Sequence, residues 1–270
     1  MRHQVLVFAA GLLLTVSLSA CAAPETVPQP AFPAGEIVDL SHAYGEDTVF
    51  WPTAEPFKLQ VVADGDTPGG FYYAANNFTT AEHGGTHVDA PVHFARGRHA
   101  VDQIPLDRLV GPAVVVDVTA SSEGNADYLV KVADLEAFER AHGRIPDGAI
   151  LLVRTGFSRR WPDAARYLGT AERGAGAVPK LHFPGIDPET ARWLLANRKI
   201  DAIGIDTASI DYGQSTLYEV HRTLFERNIP AFENLTALER LPLRGAFVVA
   251  LPMKIGGGSG APLRAIAILP

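Results

Sequence analysis

The chain has 270 residues, 47% of them hydrophobic and 20% charged, with a formal net charge of −7. Such a composition can bury a substantial core and excludes a disordered chain, while length alone leaves open one large domain or two small ones. No Lys/Arg run of five or more occurs, so nucleic acid and anionic membrane surfaces are poor partners and the negative charge reads as solubility.

Residues 1–21 begin with a short basic stretch, continue as an apolar run from Val5 to about Leu18, and end in small residues. That is the layout of a bacterial secretory signal, too short and wrongly flanked for a stable transmembrane helix. The end, Leu18-Ser19-Ala20-Cys21, resembles a bacterial lipobox, in which Cys21 is lipidated and becomes the first residue of the mature chain. An ordinary cleaved signal and an uncleaved anchor are the alternatives. No aspartate follows Cys21, which points to the outer membrane, on the periplasmic side. The lipid would then be the only link to a membrane. Cys21 is the sole cysteine, so no internal disulfide forms and cysteine count carries no information on redox compartment. Residues 22–34 hold four prolines and no apolar periodicity, as in an extended linker. The folded domain is therefore expected over 35–270.

Short strand-like runs fill the first half. Glu36–Leu40 alternates, Phe57–Ala63 is a second candidate, and Phe71–Thr80 leads into a histidine cluster; Ala113–Val118 is a continuous apolar run that reads as a buried strand. Asp64-Gly65-Asp66 and Pro68-Gly69-Gly70 are turn signals between them. The second half alternates: a helix over Val132–His142 stopped by Gly143, a strand over Ala149–Arg154, and a helix over Asp187–Asn197 with Pro188 in its first turn. Ile200–Ile205 is a strand, Leu217–Asn228 a helix, and Ala246–Pro252 and Arg264–Leu269 are strands. The mixture predicts one α/β domain built on a mixed sheet with many strands and few helices.

The chemistry concentrates in residues 82–94, E-H-G-G-T-H-V-D-A-P-V-H-F, where His83, His87, His93 and Asp89 fall close together. Imidazole nitrogen and carboxylate oxygen are ligands for zinc, manganese and iron. The stretch is not helical, because Gly84 and Gly85 together cost a helix about 2 kcal/mol relative to alanine and Pro91 follows. On an extended chain positions 83, 87 and 89 face one side. Four residues of strand span about 13 Å, near the limit for two histidines on one ion, and a bend at Gly84-Gly85 shortens that distance. Further on, His221 and Glu233 are ligand candidates twelve positions apart. Asp206 and Asp211 read as partners of local backbone, and His42, His99 and His182 as structural or exposed. Gly256-Gly257-Gly258-Ser259-Gly260 lacks the G-K-[ST] of a phosphate loop and reads as a turn close to the metal site.

H-G-G-T-H-V-D-A-P-V-H-F resembles the signature of the metal-dependent cyclase family that includes bacterial kynurenine formamidase and isatin hydrolase. The likeness extends through D-L-S-H at 39–42, W-P at 51–52, P-L-D-R-L-V-G-P at 105–112 and G-I-D-T-A-S-I-D at 204–211. It continues in N-I-P-A-F-E-N-L at 228–235 and L-P-M-K-I-G-G-G-S-G-A-P-L-R-A at 251–265. The resemblance implies a swivelling β/β/α domain, dimeric or tetrameric. It implies a first metal on His83, His87 and Asp89 and a second completed by His221 and Glu233, with Asp89 and Glu233 able to bridge. His93 matches the family's acid/base, with a fourth-ligand role as the alternative; Trp51 matches an aromatic against the substrate, with core packing as the alternative. The cofactor is one or two divalent ions, zinc or manganese. The expected activity on a small molecule is hydrolysis of a C–N bond in an aryl-formamide or cyclic amide. A lactone or ester hydrolase with the same site, and a non-catalytic periplasmic metal-binding lipoprotein, are the alternatives.

Overall fold

The computed structural model describes residues 35–270; the expected signal and linker, with Cys21, lie outside the described residues. In chain order the strands are β1 (Ile37–Asp39), β2 (Lys58–Asp66), β3 (Tyr72–Thr79), β4 (His87–Asp89), β5 (Val110–Asp117), β6 (Leu129–Val130), β7 (Ile150–Arg154), β8 (Gly185–Ile186), β9 (Ala202–Ile205), β10 (Ala231–Glu233), β11 (Arg244–Pro252) and β12 (Gly260–Ile268). The helices are α1 (Thr119–Glu123), α2 (Val132–His142), α3 (Ala164–Leu168), α4 (Pro188–Asn197) and α5 (Glu219–Phe225).

Eight strands form one mixed sheet in the order β1-β12-β11-β5-β7-β9-β10-β4, and β4 also pairs with β12. The sheet therefore closes on itself. One edge of β12 carries β4 along Gly260–Pro262 and β1 along Ile266–Ile268, and the other edge carries β11. The parallel pairs β5–β7, β7–β9 and β9–β10 run through the apolar stretches Ala113–Val116 and Ile150–Val153. Their side chains alternate between two cores, as a period of two requires. Ala113, Val115, Ile150 and Leu152 join one core with Val88, Phe232 and Val248, while Val114, Val116, Leu151 and Val153 pack with Leu135, Leu194 and Leu224 of α2, α4 and α5. Buried on both faces, these strands read as continuous hydrophobic runs rather than alternating ones.

The helix limits follow local chemistry. Val132–His142 stops where Gly143 takes a positive φ of 85°, and α4 starts at Asp187, whose carboxylate accepts the Glu189 N–H at 2.8 Å, with Pro188 at the first helical position. Two expectations need correction. Asp64-Gly65-Asp66 is not a turn but the end of β2, because the ladder with β3 continues to Asp66 opposite Tyr72 and the chain reverses over Thr67–Phe71. The helix expected over Leu217–Asn228 shrinks to Glu219–Phe225, since Tyr218 (φ 48°) and Asn228 (φ 53°) both sit in left-handed backbone.

Candidate metal centre and active site

Strand register assembles the site. Glu233 of β10 is the cross-strand partner of His87 on β4, and Asp89 lies opposite both Ala231 and Gly260. With a side-chain period of two, His87, Asp89 and Glu233 share one face while Val88 and Phe232 enter the core behind them. His221 comes from α5, held over the same face by buried Val220, Leu224 and Phe225. His83 precedes β4, and the Gly84-Gly85 bend folds it back so that its ring centroid is 5.4 Å from that of His87. Gly85 is left-handed (φ 57°), and a Cβ there would stand 2.7 Å from the Tyr44 ring. The Tyr44 hydroxyl closes the bend, 2.5 Å from the Gly84 carbonyl and 2.9 Å from that of Thr86.

Three imidazole nitrogens face two carboxylates. His87 Nδ1–H donates to the Gly85 carbonyl (3.0 Å), which leaves the Nε2 lone pair 3.0 Å from Asp89 Oδ1 and 3.6 Å from Glu233 Oε2. His221 Nδ1–H donates to Asp211 Oδ2 (2.6 Å), and its Nε2 lies 3.1 Å from both Asp89 Oδ2 and Glu233 Oε1. Ser259 Oγ–H donates to Glu82 (2.6 Å) and so accepts from His83 Nε2–H (2.9 Å), turning His83 Nδ1 toward Asp89 Oδ1 at 2.7 Å. Lone pairs set against carboxylates repel unless a proton or a cation lies between them. His87 Nε2 is buried without a hydrogen-bond partner, an orphan that a cation would satisfy. The donor set thus fits a divalent ion bound by nitrogen and oxygen, zinc or manganese alike.

The electrostatics agree. Burial and the facing Asp89 charge raise the Glu233 pKa. Burial also works to raise Asp89, but with protons on the facing imidazoles in place of a cation the His83 charge and hydrogen bonds from His221, His83 and His87 outweigh it and hold Asp89 well below the usual carboxylate range. Burial opposes charge on His221 too, yet bonds to Asp211, Asp89 and Glu233 push its pKa well up. Positive charge is wanted here, and a cation is one way to supply it.

All six predicted side chains converge, but they group differently from the expected pairing. Donor atoms of His83, Asp89 and His93 lie within 4.8 Å of one another, as do those of His87, Asp89 and Glu233. Asp89 is common to both groups, as a bridging residue must be, whereas Glu233 sits with His87. His93, in a short 3-10 turn after Pro91, stacks on His83 with centroids 3.8 Å apart. Burial pulls its pKa down to about 4 despite the opposing pull of Asp89. Above these residues opens a cavity of about 330 Å³ walled by Phe50, Trp51, Phe94 and Tyr218. Trp51 meets Phe183 edge-on at 6.3 Å and so both packs and lines the cavity.

Sequence reasoning missed several supporting residues. Asp211 does more than bind local backbone: besides His221 Nδ1 it accepts the N–H groups of Val220 (3.2 Å) and His221 (3.1 Å). Its place in G-I-D-T-A-S-I-D was the available signal. Asp206 is structural but not local, accepting the Thr155 N–H and hydroxyl and the Gly156 N–H some fifty residues away. Asn234 donates to the Gly85 carbonyl (2.8 Å) and accepts from Tyr167 (2.8 Å). The glycine-rich turn does border the site, and a Cβ on Gly260 would collide with the His83 ring. His42 stacks on Trp161 while its backbone N–H donates to Thr86 Oγ1 (2.8 Å), and His182 pairs with Asp127 at the surface.

A closed mixed sheet carrying paired carboxylates and histidines beneath an aromatic cavity fits a metal-dependent hydrolase. The chain belongs to the Cyclase family, described as "Putative cyclase", whose pattern matches residues 38–212. It is 31% identical to the isatin hydrolase of Roseibium aggregatum, over 87% of this chain and 92% of that protein. It is 30% identical to the kynurenine formamidase of Salinibacter ruber, over 85% and 96%. The solved isatin hydrolase A from Ralstonia solanacearum superposes with a TM-score of 0.77 at 37% identity, covering 87% of this chain and 92% of that one.

Proposed function

We propose that the protein hydrolyses the C–N bond of a small, neutral, aromatic cyclic amide of the isatin type. The observation that carries this reading is the lining of the cavity: aromatic walls above the ligand cluster, and no Lys or Arg. A flat uncharged bicycle suits such walls. N-formylkynurenine, the aryl-formamide alternative, brings an amino-acid carboxylate for which the lining offers no Lys or Arg. The names of the similar proteins, an isatin hydrolase and a kynurenine formamidase, support C–N hydrolysis in general.

His83, His87, Asp89, His221 and Glu233 would hold one or two divalent ions, zinc or manganese. Such an ion supplies Lewis-acid polarisation of the amide carbonyl and lowers the pKa of water. Trp51, Phe50 and Tyr218 hold the ring plane and exclude bulk water. His93, kept neutral at pH 7 by burial, accepts the proton of the attacking water at a ring nitrogen and returns it to the leaving amide nitrogen. Ser259 fixes the His83 ring against which His93 stacks, so the base is held in one orientation. An ester or lactone hydrolase would use the same parts, and the substrate decides between them.

The test is a panel of isatin, N-formylkynurenine, aryl lactones and esters assayed with zinc- and manganese-reconstituted protein. The highest kcat/KM is expected on isatin, with activity abolished by chelation. Preference for N-formylkynurenine or for the lactones overturns the substrate assignment. Activity undisturbed in metal-free protein overturns the mechanism.

For location, the N-terminal sequence alone supports an exported lipoprotein anchored through Cys21 on the periplasmic side of the outer membrane. Residues 22–34 act as the tether to the catalytic domain over 35–270.

A further inference from the structure

Asn234 follows Glu233 at the end of β10 and adopts left-handed backbone, with φ 53°. Asparagine is one of the few residues with a side chain that takes this conformation readily. Every polar group of the residue is engaged. Its N–H donates to the Thr207 carbonyl (2.8 Å), and its C=O accepts from the Thr86 hydroxyl (2.7 Å). In the side chain, Nδ2–H donates to the Gly85 carbonyl (2.8 Å) and Oδ1 accepts from the Tyr167 hydroxyl (2.8 Å). These partners fix which way the amide faces. Turned over, Oδ1 would meet the Gly85 carbonyl, two acceptors with no proton between them.

The Gly85 carbonyl is also the acceptor for His87 Nδ1–H (3.0 Å), the bond that leaves Nε2 to face Asp89 and Glu233. Asn234 Nδ2 is farther from His87 Nδ1, at 3.5 Å, so the proton on Nδ1 points at the carbonyl. The peptide carrying this acceptor has no Cβ and is left-handed, and needs a partner to hold it. Tyr44 grips the carbonyls on either side, those of Gly84 and Thr86, which leaves the middle one to Asn234.

We infer that Asn234 and Tyr167 are positioning residues for His87. The phenol fixes the amide, the amide fixes the Gly85 carbonyl, and the carbonyl fixes the imidazole with Nε2 toward the ion. The inference rests on the reading of His87 as a metal ligand. Tyr167, on α3, is fully buried. Burial, and after it the charges of Asp206 and Glu233, push its pKa well up, so it remains a proton donor. It packs in one cluster with Phe183, and Trp51 packs against that cluster. One residue thus supports both a wall of the substrate cavity and, through the amide, a ligand on β4.

The test is chelator competition for zinc and manganese on the full-length chain, Asn234→Gly, Tyr167→Phe and the double variant. Glycine takes left-handed backbone without strain, and the Asp206 carbonyl, 3.3 Å from the Tyr167 hydroxyl, is there to accept its proton. Asn234→Gly therefore removes the amide and little else. It is expected to weaken metal affinity about 10- to 100-fold, with Tyr167→Phe near the bottom of that range. The double variant is expected to bind no more weakly than Asn234→Gly, because Tyr167 acts through the amide. In zinc-loaded protein the His87 Nδ1–H should give a slowly exchanging proton resonance in the parent, lost to exchange in Asn234→Gly. A general loosening of the core would not single out that proton. Unchanged affinity and exchange in a folded Asn234→Gly overturn the inference, as does a Tyr167→Phe effect that adds in full to that of Asn234→Gly. If the glycine variant fails to fold, Tyr167→Phe, which keeps the ring, decides by the same two readouts. A parent chain that binds neither metal overturns the metal reading and this inference with it, a result told apart by the parent's own failure.

Discussion

Glu233 stands directly across the β10–β4 ladder from His87, with the Glu233 Oε2 and His87 Nε2 atoms 3.6 Å apart. The two residues are 146 positions apart in the chain, yet one antiparallel register brings them to the same point. A one-residue slip of that register would turn Glu233 into the core and Phe232 out of it. Folding of the sheet and assembly of the donor set are therefore the same event. Replacing Phe232, fully buried behind Glu233, by Ala is expected to cost about 3–5 kcal/mol and to lower metal affinity as well. Denaturant unfolding and metal titration on the same sample check both.

Asp211 is expected to matter as much for metal as for fold. Its carboxylate fixes the His221 tautomer and adds to the basicity of Nε2. Asp211→Asn should reduce metal affinity roughly 10- to 100-fold, read by chelator competition, with the lost activity recovered at high metal concentration. An unchanged affinity would mean that His221 does not bind the ion.

Removal of His93 separates proton transfer from ligation. If it is the base, His93→Ala lowers kcat by about 10²- to 10⁴-fold at unchanged metal content and removes the acid limb of the kcat/KM profile. A neutral imidazole near pKa 4 predicts that limb at low pH, with activity rising as His93 loses its proton and steady through neutrality. Loss of one equivalent of metal instead would make His93 a ligand, the role that its grouping with His83 and Asp89 also permits.

Acid stability should report on the α2–α4 contact. Glu139 pairs with Arg198 and accepts the Ile145 N–H at 2.8 Å. The Arg198 hydrogen bond, against the opposing effect of burial, holds the Glu139 pKa below the usual carboxylate value. A depressed folded-state pKa gives stability that is fully present above the unfolded-state pKa and disappears as pH falls through the folded one. Glu139→Gln is expected to be less stable than the parent at pH 7, with the difference shrinking to nothing in strong acid. Thermal melts from pH 7 down to pH 2 check this.

Labelling cells with palmitate checks the N-terminal reading. Label is expected on the parent chain and absent from Cys21→Ala; label retained by the variant, or absent from the parent, contradicts the lipobox.

Much of this was legible in the sequence because the signals are local. The Gly84-Gly85 bend, the limits of α2 at Gly143 and of α4 at Pro188, and the buried strands at 113–118 and 149–154 all follow from residues within a few positions of each other. What stayed hidden depends on side-chain and strand pairing that forms only in the fold. Asp211 reads as a partner of local backbone because the His221 ring, ten positions on, meets its carboxylate only once α5 has formed. Asp64-Gly65-Asp66 looked like a turn because only the register with β3 shows that the ladder runs on past Gly65. The grouping of Glu233 with His87 could not be read from composition or spacing, since it belongs to the β10–β4 pairing alone.

The seam between β12 and β4 also constrains when the protein becomes competent. Ser259, which sets the His83 ring, is 176 residues downstream of it, and Gly260 pairs with Asp89. A nascent chain that has made the histidine cluster but not yet β12 holds its donors without the geometry to use them. The His83 side of the site is thus completed only after synthesis of nearly the whole domain, and a ribosome stalled before residue 259 leaves His83 without the hydroxyl that sets its ring.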